Sequence, residues 1–487
     1  MSIEKNKSWQ FDNTYIKLPF SFYKKQLPTP ISAPQVAVFN ESLAKELGLA
    51  FLIGDKKRIA EELSGNLIPN GSDPIAQAYA GHQFGHFTML GDGRAILLGE
   101  VLNSNGKRVD IQLKGAGQTP YSRRGDGRAT LRSMLREYII SEAMHHLGIP
   151  TSRSLAVIST ADPVYRQHVH SGAVLTRVMS SHIRVGTFEY ARQFGSGEDL
   201  KALAAYTIER HYPSIANAEN PAIELLRTIL EKQTDLVLEW LRVGFIHGVM
   251  NTDNMGLACE TYDYGPCAFM NAYHPKTVFS SIDTNGRYAF ENQPFIAHWN
   301  VSVLAGALLP LIDDQQEKAI AIAQEVLNEF EPRFIDKYFE MMLGKIGLSG
   351  VSVANKEILS SLLQWMEKNE MDYTDTFYSL VNDSILEDSP SIKIANPDWY
   401  QRWESACENQ AGGRTLAHEL MKKSNPAFIP RNHAVEYALD MAESGNYQPF
   451  YELLNATSKP YEFNLLYRPL MRVPPQHDQR YVTYCGT

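Results

Sequence analysis

Two apolar runs joined by an Asn-Gly step, RAILLGEVL-NSNGK-RVDIQLKG (94–115), constrain the fold most. Asn-Gly between alternating hydrophobic runs is a strong hairpin signal. In the second run Val109, Ile111 and Leu113 share one face, and Asp110, Gln112 and Lys114 share the other. The segment DGRATLRSMLREYIISEAMHHLG (126–148) is predicted to be a helix. Leu131, Leu135, Ile139, Ala143 and Leu147 recur along it every four residues, and Gly148 and Pro150 end it. Strands are predicted at 154–160 and 172–180, then a long apolar-striped helix at 221–244, and further helices near 302–330, 354–368 and 432–444. Residues 1–80, with Pro19, Pro28, Pro30 and Pro34, are expected to be irregular apart from a short helix around 39–48. Strands that precede segregated helices indicate an α+β, two-lobed architecture. The expected division is an N-terminal extension (1–80) packed on the core, a strand-rich lobe (81–180) and a helical lobe (181–487).

Composition narrows the function classes. The chain has 487 residues, 44% hydrophobic and 21% charged, with net charge −9 and pI about 5.9. That balance argues against a broad nucleic-acid-binding face. Against it stands a basic cluster at 107–136: Lys107, Arg108, Lys114, Arg123, Arg124, Arg128, Arg132 and Arg136, opposed by Asp110 and Asp126. Glycines interleave with these cations, which suits an anionic ligand approached closely by backbone. The four cysteines, Cys259, Cys267, Cys407 and Cys485, are too sparse for a disulfide scaffold and form no CxxC pair. The N-terminus lacks the apolar stretch of a signal peptide. FIAHWNVSVLAGALLPLI (295–312), interrupted by His298 and Asn300, is expected to be a core helix rather than a membrane span. A cytoplasmic, reduced protein with no membrane or nucleic-acid partner is expected.

Three constellations carry chemistry. GDGRA occurs twice, at 91–95 and 125–129, on either side of Lys114. Such turns can present backbone N–H groups as an anion nest completed by the Arg, although they also occur as plain turns. Neither copy has Walker A or Rossmann spacing. Lys114 on a strand and Glu137 on the next helix match the ion-pair arrangement of protein kinases; the bland alternative is two solvated charges. FIHGVMNTDNMG (245–256) follows the long helix and offers His247, Asn251, Asp253 and Asn254, with Asp263 nine residues after Asn254. A loop Asp, a loop Asn and a later Asp, in that order, accept a substrate proton and bind Mg²⁺ in kinase-like enzymes. An Asx-rich turn is the alternative. Arg177 and Arg184 add charge where a cleft hinge would fall.

YAGHQFGHFTMLGDGRA (79–95), QLKGAGQTPYSRRGDGRATLRSMLREY (112–138), HGVMNTDNM (247–255) and DYGP (263–266) resemble the selenoprotein O family. The resemblance covers most of the chain, most densely about 80–300. It implies a protein-kinase-like fold working as a protein AMPylase, which binds ATP in a flipped orientation and moves AMP to Ser, Thr or Tyr hydroxyls. UMP transfer from UTP with Mn²⁺ is also attributed to bacterial members. By motif, the nucleotide site would comprise Gly91, Gly93, Arg94, Lys114, Asp126, Gly127, Arg177, Arg184 and Asp263. Asp253 would accept the proton, Asn254 and Asp263 would hold Mg²⁺ or Mn²⁺, and Glu137 would pair with Lys114. A triphosphate pointing into the site would account for the density of arginine. Cys485 occupies the place of the family's C-terminal selenocysteine or cysteine; it is a redox candidate, with Cys267 preferred over Cys259 as partner. A γ-phosphoryl-transferring kinase and a nucleotide-binding pseudokinase are the competing readings.

Overall fold

The computed structural model describes residues 8–382, 392–473 and 483. Its N-terminal part is built on one antiparallel sheet with strand order β1 (Tyr23–Lys25), β3 (Ile75–Gln77), β6 (Ala95–Leu102), β7 (Arg108–Lys114), β10 (Val169–Met179), β9 (Arg153–Tyr165) and β2 (Gln35–Phe39). A separate hairpin joins β4 (Ala80–Gln83) to β5 (His86–Met89). The short β8 (Ala129–Thr130) pairs with β10. Helices α1 (Glu41–Glu46) and α2 (Lys56–Ser64) cover one face of the sheet, and α3 (Leu131–His146) lies on the other.

Alternation explains the layering. Val109, Ile111 and Leu113 of β7 join Leu43, Leu47, Ile59 and Leu63 beneath the helices α1 and α2. The polar residues between them are thereby turned toward α3. The α3 stripe Leu131, Leu135, Ile139, Ala143 and Leu147 is buried throughout, as its four-residue recurrence predicts.

The remainder is helical: α4 (Val185–Phe194), α5 (Gly197–His211), α6 (Pro221–Val243) and α7 (Gln293–Ile312), then helices Gln316–Asn328, Phe330–Lys345, Val353–Lys368, Asn432–Glu443 and Gln448–Thr457. Helix α6 starts at an Asn220 cap followed by Pro221 and stops at Gly244, whose φ of 72° is the left-handed cap geometry glycine adopts freely. The next strands, β11 (Phe245–Ile246) and β12 (Ala268–Phe269), pair antiparallel and enclose the loop 247–267. Phe290–Ile312 is long and apolar enough, by length and composition, to cross a membrane. Within this molecule α7 packs on α4 and α6, and its Asn300 is fully buried, donating to the Met250 carbonyl at 2.9 Å.

Three expectations are corrected. Beyond the expected short helix, which is α1, residues 8–80 also supply β1, β2 and β3 and the helix α2. Two of these strands are three residues long, too short for alternation to register. Helix α3 begins at Leu131, not 126, because β8 draws Ala129 and Thr130 into the sheet; Thr130 then caps the helix by accepting from the Ser133 amide. The second GDGR turn therefore sits ahead of the helix N-terminus rather than on it. The helical zone expected at 302–330 is two helices broken at Asp313.

Candidate active site

The site grows from the polar face of β7. Lys114 Nζ donates to Glu137 Oε2 of α3 at 2.7 Å and also pairs with Asp263 Oδ1. Arg177, opposite Gln112 in the β7–β10 register, donates through Nε to Glu137 Oε1 at 2.8 Å and through Nη2 to Asp263 Oδ1 at 3.1 Å. Lys114, Glu137 and Arg177 are buried, whereas the Asp263 side chain is about a third exposed. Two cations and two carboxylates compensate one another, which a lone charge at this depth could not do. Burial by itself would raise the Glu137 and Asp263 carboxyls. The Arg177 and Lys114 charges outweigh it at Glu137, and Lys114, Arg177 and Arg94 outweigh it at Asp263, so both lie below the ordinary range.

Arg184, just ahead of α4, forms the second half. Its guanidinium lies 4.0 Å from the Tyr79 ring centroid and 5.2 Å from that of Tyr262. It donates to the Asp253 carbonyl at 2.8 Å and reaches Asp92 Oδ1 at 3.4 Å. One side chain thus ties the first GDGR turn to the loop carrying Asp253. Asp92 is buried; it accepts from the Gln77 amide at 3.1 Å and from Gln112 at 3.4 Å. Burial pushes its carboxyl up to about 6 against the opposing charge of Arg184.

The loop itself is pinned from several sides. Gln293 of α7 accepts from the His247 amide at 3.0 Å and donates to the Phe245 carbonyl at 3.0 Å. Tyr288 donates to Asn251 Oδ1 at 2.6 Å, and Tyr262 donates to the Asp253 carbonyl at 2.7 Å. Asp253 is only 7% exposed, and burial pushes it up to about 6, with Arg184 opposing. A carboxyl poised there is ionised near neutral pH yet more basic than an ordinary aspartate, which suits proton acceptance.

Among the described residues no three His, Cys, Asp or Glu side chains gather as a metal cluster. A divalent ion held by few protein ligands and completed by phosphate oxygens needs no such cluster. Asn254 and Asp263 fit that role chemically. Asn254 Nδ2 is fixed on the Val249 carbonyl at 3.0 Å. Among the described residues the hydrogen bonds to the Asp263 carboxylate fall on Oδ1, leaving Oδ2 available. Asp263 itself adopts φ 63°.

The two GDGR turns each pack on the segment 117–122 that lies between them. Gly91 packs so closely on Tyr121 that a β carbon there would lie 2.4 Å from its ring. Thr119 donates to the Asp92 carbonyl at 2.6 Å, and Ser122 to that of Gly93. Gly127, at φ 69°, abuts Gly117 with room for no side chain. Asp126 is exposed; its carboxylate accepts from Arg166 at 2.8 Å and from the Arg128 amide at 2.9 Å, not from the Lys114 cluster.

A family model described as protein adenylyltransferase SelO matches residues 6–458. The chain belongs to this family. Members named protein nucleotidyltransferase YdiU align almost end to end with it. The one from Nitrosococcus oceani is 50% identical over 98% of this chain and 97% of its own length. That from Geobacillus kaustophilus is 50% identical over 98% and 99%, and that from Anoxybacillus flavithermus 51% over 99% and 100%. Every site residue named above lies inside the SelO match.

Two departures from the sequence reading remain. Not all of the basic cluster faces the SelO site. Arg132 and Arg136, on one face of α3, reach Glu436, and Arg132 also reaches Asp440 at 2.6 Å; Arg128 donates to the Thr29 and Pro30 carbonyls. An i, i+4 arginine pair facing an acidic helix serves packing, so arginine density overstated the charge offered to a ligand. Asp92, Gln77, Gln83 and Tyr262 were missed. Asp92 was visible inside the first GDGR turn, but Gln83 gave no signal beyond its motif. Cys485 lies outside the described residues. Thr483 does pair alongside Ser280 and donates to the Pro266 carbonyl at 2.6 Å, while Cys267 is fully buried with its thiol pushed up to about 12 by burial.

Proposed function

We propose that this protein transfers AMP from ATP to Ser, Thr or Tyr hydroxyls of protein substrates, releasing pyrophosphate, on a protein-kinase-like two-lobed core. Residues 81–180 act as the nucleotide-binding lobe and 181–487 as the helical lobe, with 1–80 packed on them. The observation that carries this reading is the buried Lys114–Glu137–Arg177–Asp263 cluster, joined through Arg184 to the carboxylate-bearing loop.

Lys114, Arg177, Arg184 and Arg94 bind and orient the triphosphate, against the glycine turns at Gly91, Gly93, Asp126 and Gly127. Asn254 and Asp263 hold Mg²⁺ or Mn²⁺, which when bound neutralises phosphate charge and fixes phosphate geometry. Asp253 accepts the proton of the acceptor hydroxyl. That oxygen bonds to the α-phosphorus, and the bond from the α-phosphorus to the bridging oxygen of the leaving pyrophosphate breaks. UTP, giving UMP transfer, is the second nucleotide this site accommodates.

The deciding experiment compares ATP labelled on its α- and on its γ-phosphorus. Protein should take up the α label alone. Uptake of the γ label alone would assign a kinase, and nucleotide binding with neither label transferred would assign a pseudokinase.

A further inference from the structure

The hairpin β4–β5 has no place in the nucleotide site, yet it reaches the carboxylate that accepts the proton. Along β4, alternation sends Gly81 and Gln83 to one face and His82 to the other. His82 pairs with Glu189 of α4 on its own side, and its amide donates to Thr252 Oγ1 at 2.7 Å. The Phe84 amide donates to Asn251 Oδ1 at 3.1 Å. These contacts seat the hairpin on residues 251–252, next to Asp253.

Two glycines allow the approach. A β carbon on Gly81 would lie 2.6 Å from Asp253 Oδ1, and one on Gly186 of α4 would lie 2.0 Å from the Ala80 carbonyl. At this distance the Gln83 amide donates to Asp253 Oδ2 at 3.4 Å, the one side-chain hydrogen bond this carboxylate receives among the described residues. Asp253 Oδ1 is buried with no partner, lying on the bare Gly81 backbone.

We propose that Gln83 is a positioning residue: its amide fixes the Asp253 carboxylate so that Oδ2 faces the acceptor hydroxyl while Oδ1 stays sealed against Gly81. This rests on the reading of Asp253 as proton acceptor. A carboxylate held by one amide rotates about its side-chain torsions once that amide is gone, and reaction geometry is lost while the nucleotide contacts, made by other elements, remain. Each oxygen of a carboxylate accepts more than one hydrogen bond, so Gln83 and the acceptor hydroxyl share Oδ2 without competing.

The test is a double-mutant cycle on the full chain, read as kcat and KM for ATP together with nucleotide affinity and Tm. Gln83→Leu removes the donor; Gln83→Glu keeps the reach and replaces the donor with an acceptor. Both should lower kcat by about 10- to 100-fold, a share of what a general base supplies, with ATP affinity changed less than about twofold and Tm held. In an Asp253→Ala background the same Gln83 substitutions should cost nothing further, because residues acting as one unit are non-additive. An undiminished kcat in the Gln83 variants, or a full additional loss in the Asp253→Ala background, overturns the proposal. Full activity of Asp253→Ala alone overturns the base assignment and the proposal with it. A purely structural role of Gln83 would show as lower Tm and ATP affinity in both backgrounds, and would overturn the proposal as well.

Discussion

Asp92 and Asp253 flank Arg184, and burial pushes both carboxyls up to about 6. For Asp92 this has a consequence for stability whose sign opposes the usual case. Its folded value lies above the ordinary 3.8, so between pH 4 and 6 the native state binds more protons than the unfolded chain. The cost of holding it ionised is absent below pH 4 and fully present above pH 6. A two-unit shift corresponds to about 3 kcal/mol. Asp92→Asn keeps an acceptor for the Gln77 amide and removes the charge. It should stabilise the protein by about 1–3 kcal/mol at pH 7.5 and far less at pH 4.5, as read by urea unfolding at both values. Equal effects at the two pH values would contradict it. Arg184 loses a counter-charge in the same variant, so nucleotide affinity should change even as stability rises.

At the scale of elements, close approach through glycine governs how β4 packs on α4 and on the loop that carries Asp253. Gly186 lies in the first turn of α4, where alanine is intrinsically preferred by about 1 kcal/mol. The Ala80 carbonyl occupies the space its β carbon would need. Gly186→Ala should therefore lower Tm against the helix preference and cut turnover more than ATP affinity, because the displaced hairpin reaches the Asp253 loop and not the Lys114 cluster. A rise in Tm with unchanged turnover would mean that β4 yields without consequence. Legibility followed element length. The β6–β7 hairpin, α3 and α6 were readable from Asn-Gly, four-residue recurrence and capping residues. β1, β3 and β8, two or three residues each, owe their existence to partners distant in the chain, which no local pattern announces.

Across the whole molecule the same division applies to the candidate site. Lys114, Glu137, Asp253, Asn254 and Asp263 could be nominated because each sits in a recognisable order of elements. Asp92, which Arg184 reaches at 3.4 Å, and Gln83, which donates to Asp253 at 3.4 Å, come from segments brought in by the tertiary fold. So does the restraint on α3. Glu436 on the helix Asn432–Glu443 pairs with Arg132 and, at 2.9 Å, with Arg136, and Arg136 also donates to the Cys267 carbonyl at 2.6 Å. The C-terminal helices thereby clamp the helix that carries Glu137 beside the strand that follows Asp263. Glu436 is about a third exposed, so its pairs contribute modestly to stability. Glu436→Lys should destabilise by only about 1 kcal/mol in urea unfolding. It should weaken ATP binding disproportionately, since two arginines of α3 would then face a like charge and push away the helix that holds Glu137. Raising salt in the wild type should shift ATP binding the same way. Glu462→Lys supplies the control. It makes the same change of charge at a pair with Lys459 that is about 70% exposed on both sides, and should leave ATP binding unaltered. Equal responses from the two variants would show that net charge, rather than the clamp on α3, sets nucleotide affinity.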